Sequence, residues 1–333
     1  MPSPRHVFLI DGSGFIFRAF HGLPPMTRPD GIPVNAVYGF TTMLMKLLSE
    51  TEADHVAVVF DTSRKTFRSE FYPEYKAHRP PVPEDLVPQF PLVRDATRAF
   101  DVCCIEMEGF EADALIASYA RAAAAEGADV TIVSSDKDLM QLVGPGISML
   151  DPMKNRVIGE AEVREKFGVP PNRVVDVQAL CGDASDNVPG VPGIGIKTAA
   201  QLIEEYGDLD TLLARAAEIR QPKRRETLME NAELARISRR LVQLKEDVPL
   251  PVPLADLAVK PVNPETLAAF CAAQGFRSLL SRLNVKAPPT QTAVQATPPG
   301  QATPQASPAA APKAATAKAR AATSVSQRIL GAA

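Results

Sequence analysis

Carboxylates gather at the ends of apolar runs in this sequence. Asp11 closes VFLID, Asp61 closes VAVVFD, and Asp136 and Asp138 follow VTIVSS, while Glu111 with Asp113 and Asp183 with Asp186 stand in GFEADALI and GDASDNVPG. One Asp at a strand end is usually a turn former or a helix cap. Eight acids arriving from five places form a different pattern. Three β-branched, strand-like segments deliver acid at their carboxyl ends, the edge of an open α/β sheet where ligands bind. Like charges converging on one cleft repel, and they force protonation unless positive charge sits among them. All-oxygen donors suit magnesium or manganese rather than zinc. The four histidines, His6, His21, His55 and His78, are scattered and no Cys-x-x-Cys occurs, which also argues against zinc. A grouping of Asp11, Asp61, Glu111 and Asp113 for one cation and Asp136, Asp138, Asp183 and Asp186 for a second suggests two-metal chemistry. Two such ions about 3.5–4 Å apart activate a water and stabilise the leaving oxygen of a phosphodiester.

Two further stretches speak of nucleic acid. In NVPGVPGIGIKTAAQLIEEYG, Gly190, Gly193 and Gly195 allow tight turns before a helix starting at Ile196, whose free amides can meet a phosphate. A P-loop needs Gly-Lys-Ser/Thr in succession, and here Ile196 separates Gly195 from Lys197. A helix, hairpin, helix that grips a duplex backbone fits better, with Lys197 and Thr198 on phosphate, giving register but no sequence preference. The second stretch, TSRKTFRSEFYPEYKAHRPPVPEDL, interleaves Arg64, Lys65, Arg68, Lys76 and Arg79 with Phe67, Phe71, Tyr72 and Tyr75. Charges and rings together suit single strands, where cations follow the backbone and rings stack on bases. The plain alternative is a solvated basic helix; its place directly after Asp61 favours the functional reading.

The elements that must position these groups alternate through the first half. Strand-like VFLID, VAVVF, DVCCIE and ADVTIVSS are separated by the helix-like SGFIFRAFHGL, NAVYGFTTMLMKLLSE, DLVPQFPLVRDATRAF and EADALIASYARAAAAEG, the last ended by Gly127. This predicts an α/β domain over 1–171, a mostly parallel sheet with helices on both faces, with the basic stretch at about 62–88 rising beside it. From 172 to 285 strand signals fade, predicting a helical DNA-binding domain that carries the hairpin at about 188–207. Residues 286–333 are mostly Ala, Pro, Thr and Gln and should form a disordered tail.

The 333 residues, 45% of them hydrophobic, suffice for about two domains, with no signal peptide and no run of transmembrane length, which points to the cytoplasm. Four unpaired-looking cysteines suggest no disulfide framework. The net charge of −3 is uneven: beyond Ala287 there are four basic residues and no acid, leaving −7 on the body. Set the eight clustered acids aside as metal ligands and that body is near neutral, compatible with a polyanionic partner.

On the motifs LIDGSGFIFRAFHG, VVFDTSRKTFRSEFYPEYKAHRPP, GFEADALI, SSDKDLMQLV and GDASDNVPGVPGIGIKTAAQLI, the chain resembles the 5′-nuclease (flap endonuclease) superfamily over about residues 5 to 285. It is most similar there to the N-terminal 5′→3′ exonuclease domain of bacterial DNA polymerase I. The resemblance implies a PIN-like nuclease core, with the eight acids as ligands of two Mg²⁺ or Mn²⁺ ions. It implies Arg18, Tyr75, Lys76 and Arg79 as catalytic residues at the scissile phosphate and in an arch over the site, and a helix-hairpin-helix able to hold K⁺. It implies a monomeric 5′→3′ exonuclease and flap endonuclease of replication and repair, acting on DNA with 5′ ends or flaps, RNA-primed strands included, in functional connection with a DNA polymerase. One departure stands out: where bacterial members read Glu-Ala-Asp-Asp, the last position here is Ala114, as in the Glu-Ala-Glu-Ala of eukaryotic flap endonucleases. The rival reading that Ala114 motivates is a catalytically impaired junction-binding protein.

Overall fold

The computed structural model describes residues 6–62 and 66–283. Arg64, Lys65 and the tail from 286 onward lie outside the described residues. In chain order the elements are β1 (His6–Asp11), α1 (Gly12–Gly22), α2 (Asn35–Glu50), β2 (His55–Val59), α3 (Phe67–Phe71), α4 (Gln89–Ala99), β3 (Cys103–Ile105), α5 (Ala112–Ala125), β4 (Asp129–Val133), β5 (Ile147–Asp151), β6 (Arg156–Ile158) and α6 (Glu160–Phe167). There follow α7 (Val174–Cys181), α8 (Ile196–Tyr206), α9 (Leu209–Ala214), α10 (Pro222–Glu230), α11 (Ala232–Val242), α12 (Pro264–Ala273) and α13 (Arg277–Arg282).

Alternation within the strands explains the layering. Val7 and Leu9 of β1 and Ala57 and Val59 of β2 face one core, shared with α5, α7 and α8. Phe8 and Ile10 of β1 and Val56 and Val58 of β2 face the other, shared with α1, α2 and α4. A strand buried on both faces reads as a continuous apolar run, as VFLI and VAVV do. The sheet order is β3-β2-β1-β4-β5-β6, parallel except for the last pair. The strand order reverses between β1 and β4, and there the chain leaves the carboxyl edge in opposite directions and opens a crevice. The fold is thus the expected α/β sheet followed by helices, with β5, β6 and α6 as additions that the sequence pattern did not announce.

The helices after residue 171 divide between the two faces. α7 through α11 continue the core behind α5. α12 and α13 instead pack on the α2 and α4 side, where Phe276 stands edge-on to Tyr38 and Ser278 Oγ lies 3.0 Å from Tyr38 Oη. These two helices, within the expected helical region 172–285, thus pack on the opposite face of the sheet from α7 through α11. Their apolar residues, Leu267, Cys271 and Leu279 among them, complete the layer against the sheet. Among the described residues, no helix is long and apolar enough to cross a membrane.

Candidate metal centre and nucleic-acid interface

All eight carboxylates predicted from the sequence line a single cleft of about 430 Å³ at the carboxyl edge of the sheet. Each is aimed by its local backbone. Asp11 caps α1, accepting from the Gly14 amide at 2.9 Å, and its other oxygen accepts from Ser134 Oγ at 2.8 Å, which joins the ends of β1 and β4 across the crevice. Asp61 accepts from the Ala112 amide at 2.7 Å, at the start of α5. Glu111 is the N-cap of α5 and Asp113 lies in its first turn, where the helix terminus favours negative charge. Asp136 accepts from the Asp138 amide at 3.0 Å, and Asp138 from Gln178 Nε2 at 2.6 Å. Asp183 and Asp186 sit in a tight hairpin closed by the paired backbone bonds of Asp183 and Val188.

So much buried acid is costly by itself. Burial, against which the Gly14 and Ser134 hydrogen bonds work, pushes the Asp11 carboxyl above its ordinary range. Burial and then Asp113 raise Glu111, and burial raises Asp136. Asp138 is pushed up to about 6 by burial and by Asp136. A donor set of crowded carboxylate oxygens that resist ionisation is one that divalent cations complement. Asp138, Asp183 and Asp186 place a ligand oxygen each within 4.8 Å of one another, close enough to share one ion.

The basic residues are drawn into this field. Lys76 holds Glu111 at 2.9 Å and Asp186 at 3.6 Å, and Arg79 pairs with Asp186. Lys76 adopts φ 56°, a left-handed conformation uncommon for a side-chain-bearing residue. Its amide donates to the Asp186 carbonyl at 2.9 Å, and Asn187 Nδ2 donates to the Glu74 carbonyl at 2.7 Å, so the base of the arch is stitched to the loop of Asp183 and Asp186. Burial works against the Lys76 charge, but Glu111, Tyr75 and Asp186 outweigh it and hold the ammonium above its ordinary value. Tyr75 is buried, its hydroxyl 3.4 Å from both Glu111 and Asp186.

Two expected roles are redrawn, and a third residue stands outside the cleft lining. Arg68, expected on the DNA-binding surface, is 1% exposed: it pairs with Glu111, lies 3.1 Å from Asp113 and donates to the Leu241 carbonyl at 2.8 Å. A basic residue among aromatics reads identically in sequence whether it faces solvent or a buried acid. Gly190, expected on DNA, is an internal contact: its amide donates to Ser238 Oγ at 3.0 Å, and a Cβ there would come within 2.4 Å of the Gly182 nitrogen. Arg18 is exposed on α1; its neighbour Phe17 lines the cleft and Arg18 does not. Gly193, Gly195 and Lys197 are exposed at the start of α8, with Thr198 half-buried beside them.

Residues that the sequence reading passed over also hold the site. Ser134, Lys137 and Gln178 bond Asp11, Asp183 and Asp138, and Lys166 lines the cleft from α6. The doubled serine of SSDKD was a readable signal for Ser134; nothing in the sequence brings Lys166 to the acids. Ala114 is fully buried in the apolar core behind α5 and is not among the residues lining the cleft.

Comparison with known proteins decides the family. Residues 6–168 match the model of the 5′-3′ exonuclease N-terminal resolvase-like domain, and residues 169–265 match that of the 5′-3′ exonuclease C-terminal SAM fold. The chain is 34% identical to the 5′-3′ exonuclease of Aquifex aeolicus, over 84% of this chain and 96% of that one. The chain belongs to the 5′-3′ exonuclease family. As such it is a nuclease, a hydrolase by class. The exonuclease is also 58% identical to DNA polymerase I of Rhizobium leguminosarum over 85% of its own length and 29% of the relative's. It thus spans about a third of the length of the polymerase relatives it matches. Among solved structures its fold is similar to that of the bacteriophage T5 flap endonuclease in a complex with DNA and metal ions, with 23% identity, a TM-score of 0.61, and 84% and 96% of the two chains covered. It is also similar in fold to the catalytic core of Rad2 in complex with DNA substrate, with 17% identity, a TM-score of 0.56, and 84% and 92% covered.

Proposed function

We propose that this exonuclease is a structure-specific enzyme that hydrolyses DNA phosphodiesters at or near 5′ ends and at flaps on duplex junctions, using two divalent cations held in the acid cleft. The observation that carries the reading is the convergence of eight carboxylates from separate segments of the chain on one cleft, with cations of the arch against them. Asp11, Asp61, Glu111 and Asp113 would hold one ion and Asp136, Asp138, Asp183 and Asp186 the other. Bound there, Mg²⁺ or Mn²⁺ would supply activation of water and charge stabilisation at the leaving oxygen. Lys76 and Arg79 are placed to exchange a carboxylate for the scissile phosphate, offsetting charge where it develops. Arg18, exposed on α1 beside the cleft-lining Phe17, is assigned to the same phosphate. Tyr75, its hydroxyl between Glu111 and Asp186, helps to position those acids.

The hairpin before α8, with Gly193, Gly195, Lys197 and Thr198, grips the duplex backbone and offers carbonyls for K⁺. The protein acts as a monomer in the cytoplasm, on DNA and on RNA-primed strands that a polymerase exposes during replication and repair. Cleavage of a DNA flap labelled at its 5′ end, with magnesium, with manganese and with chelator, tests the proposal. Metal-dependent release of the 5′ fragment supports it. Tight binding with no product in either metal would make the protein a junction binder instead.

A further inference from the structure

Four cations line the acid cleft: Lys76, Arg79, Lys137 and Lys166. Three of them answer to carboxylates. Lys76 faces Glu111 and Asp186, Arg79 faces Asp186, and Lys137 faces Asp183 and Asp138. Lys166 stands apart. Among the described residues its ammonium makes no ion pair; its nearest recorded partner is the Phe167 ring, with Nζ 5.9 Å from the centroid. Burial, and then the like charges of Lys137 and Lys154, hold its pKa below the ordinary lysine value. Asp136 and Asp138 attract it from a distance without reversing that shift, so the rim on this side of the cleft carries a cation that no carboxylate of the described residues pairs directly.

The placement of Lys166 extends the argument. It lies in the last turn of α6, two residues before Gly168, where φ is 77° and a Cβ would come within 2.9 Å of Ala200 Cβ. The end of α6 thus rests directly on α8, one turn beyond Lys197 at the start of that helix. Lys166 thus lines the cleft, while Gly168, two residues further on, touches α8.

We infer that Lys166 is a phosphate-binding residue that bridges the two sites, taking a backbone phosphate of the nucleic acid between the one in the cleft and the one at the start of α8. The inference rests on the proposed function. A lysine suits the task because a point charge on a flexible stem follows a backbone without demanding fixed geometry.

The test is equilibrium binding of a fluorescent DNA flap in chelator, over a range of salt concentrations, by wild type, Lys166→Ala, Lys166→Arg and Lys154→Ala, with manganese affinity measured separately on each. Losing one phosphate contact lowers the log–log salt slope by roughly 0.9. The expected result is that drop, with several-fold weaker binding, in Lys166→Ala alone, the wild-type slope in Lys166→Arg and Lys154→Ala, and unchanged manganese affinity throughout. An unchanged slope in Lys166→Ala, or a changed manganese affinity with the slope intact, would overturn the inference and leave the nuclease reading standing. Failure of the wild type to bind the flap would overturn both.

Discussion

Arg68 Nε donates to the carbonyl oxygen of Leu241 at 2.8 Å while its Nη1 faces Glu111 and Asp113. One side chain on α3 thereby ties the end of α11 to two acids of the cleft. Burial disfavours its charge, yet Asp113, Tyr75 and Glu111 hold the guanidinium above its ordinary value. Breaking a buried pair by removing one partner is costly because the other charge stays behind. Arg68→Met should therefore destabilise the metal-free protein by about 3–5 kcal/mol, seen as a lower denaturant midpoint. A loss below about 1 kcal/mol would match an exposed pair and contradict the buried arrangement.

Asp113 presents the cleaner test of catalysis. Asp113→Asn keeps the shape of the side chain and removes one charge from the first turn of α5. Cleavage of a labelled flap should fall by roughly 10²–10³-fold or more, on the scale of losing one group that stabilises developing charge, with flap affinity within a few-fold of wild type. Retained cleavage would remove Asp113 from the metal site.

Stability of the cleft should depend on pH and metal together. Asp138 has a folded pKa of about 6 against an ordinary 3.8. A raised folded value means that the contribution to stability is fully present below the ordinary value and is lost as pH rises through the folded one. The metal-free protein should thus lose stability between about pH 4 and 6, and magnesium should restore it above that window. Melting curves with magnesium and with chelator at pH 5 and pH 7 check this: the metal-induced rise in Tm should be larger at pH 7. An equal rise at both would argue against protonated carboxylates in the empty cleft.

Two glycines of the hairpin should respond differently to the same change. Gly190, at φ 62°, packs its Cα against the Gly182 backbone, whereas Gly193, at φ 75°, faces open space. Gly193→Ala should cost about 1–2 kcal/mol, the strain of the left-handed conformation alone. Gly190→Ala adds a backbone collision, so its melting temperature should fall well below that of Gly193→Ala. Similar temperatures for the two would count against the close Gly182 to Gly190 approach.

Much of the site was legible because strand ends are legible. Runs such as VFLID carry their period and their acid in the same few residues, and Glu111 and Asp113 announce a helix start. What stayed hidden was set by distance. Arg68 reaches Leu241 across 173 residues of sequence, and Lys166 comes to the cleft from a helix with no motif of its own. β5 and β6 pair with each other at the sheet edge through short segments, ISMLD and RVI, too brief to show a period. α12 was readable as a helix from PETLAAFCAAQG, but not the face it covers, because an apolar helix does not name its partner, and α13, only six residues long, is too brief to show a period.

The loop bearing Asp183 and Asp186 leads directly into the turn that starts α8, and the loop is closed on itself by the Asp183 and Val188 bridge, by the contact of Gly182 with Gly190 and by the Val191 amide donating to the Leu180 carbonyl at 2.7 Å. Five residues, 191–195, separate that closed loop from the start of α8. Under the proposed function the chain would act as a caliper, with one jaw on paired DNA and the other at the bond to be cut. The cut would then be measured from the place where pairing begins, at a constant offset in nucleotides, whatever the length of loose strand ahead of it.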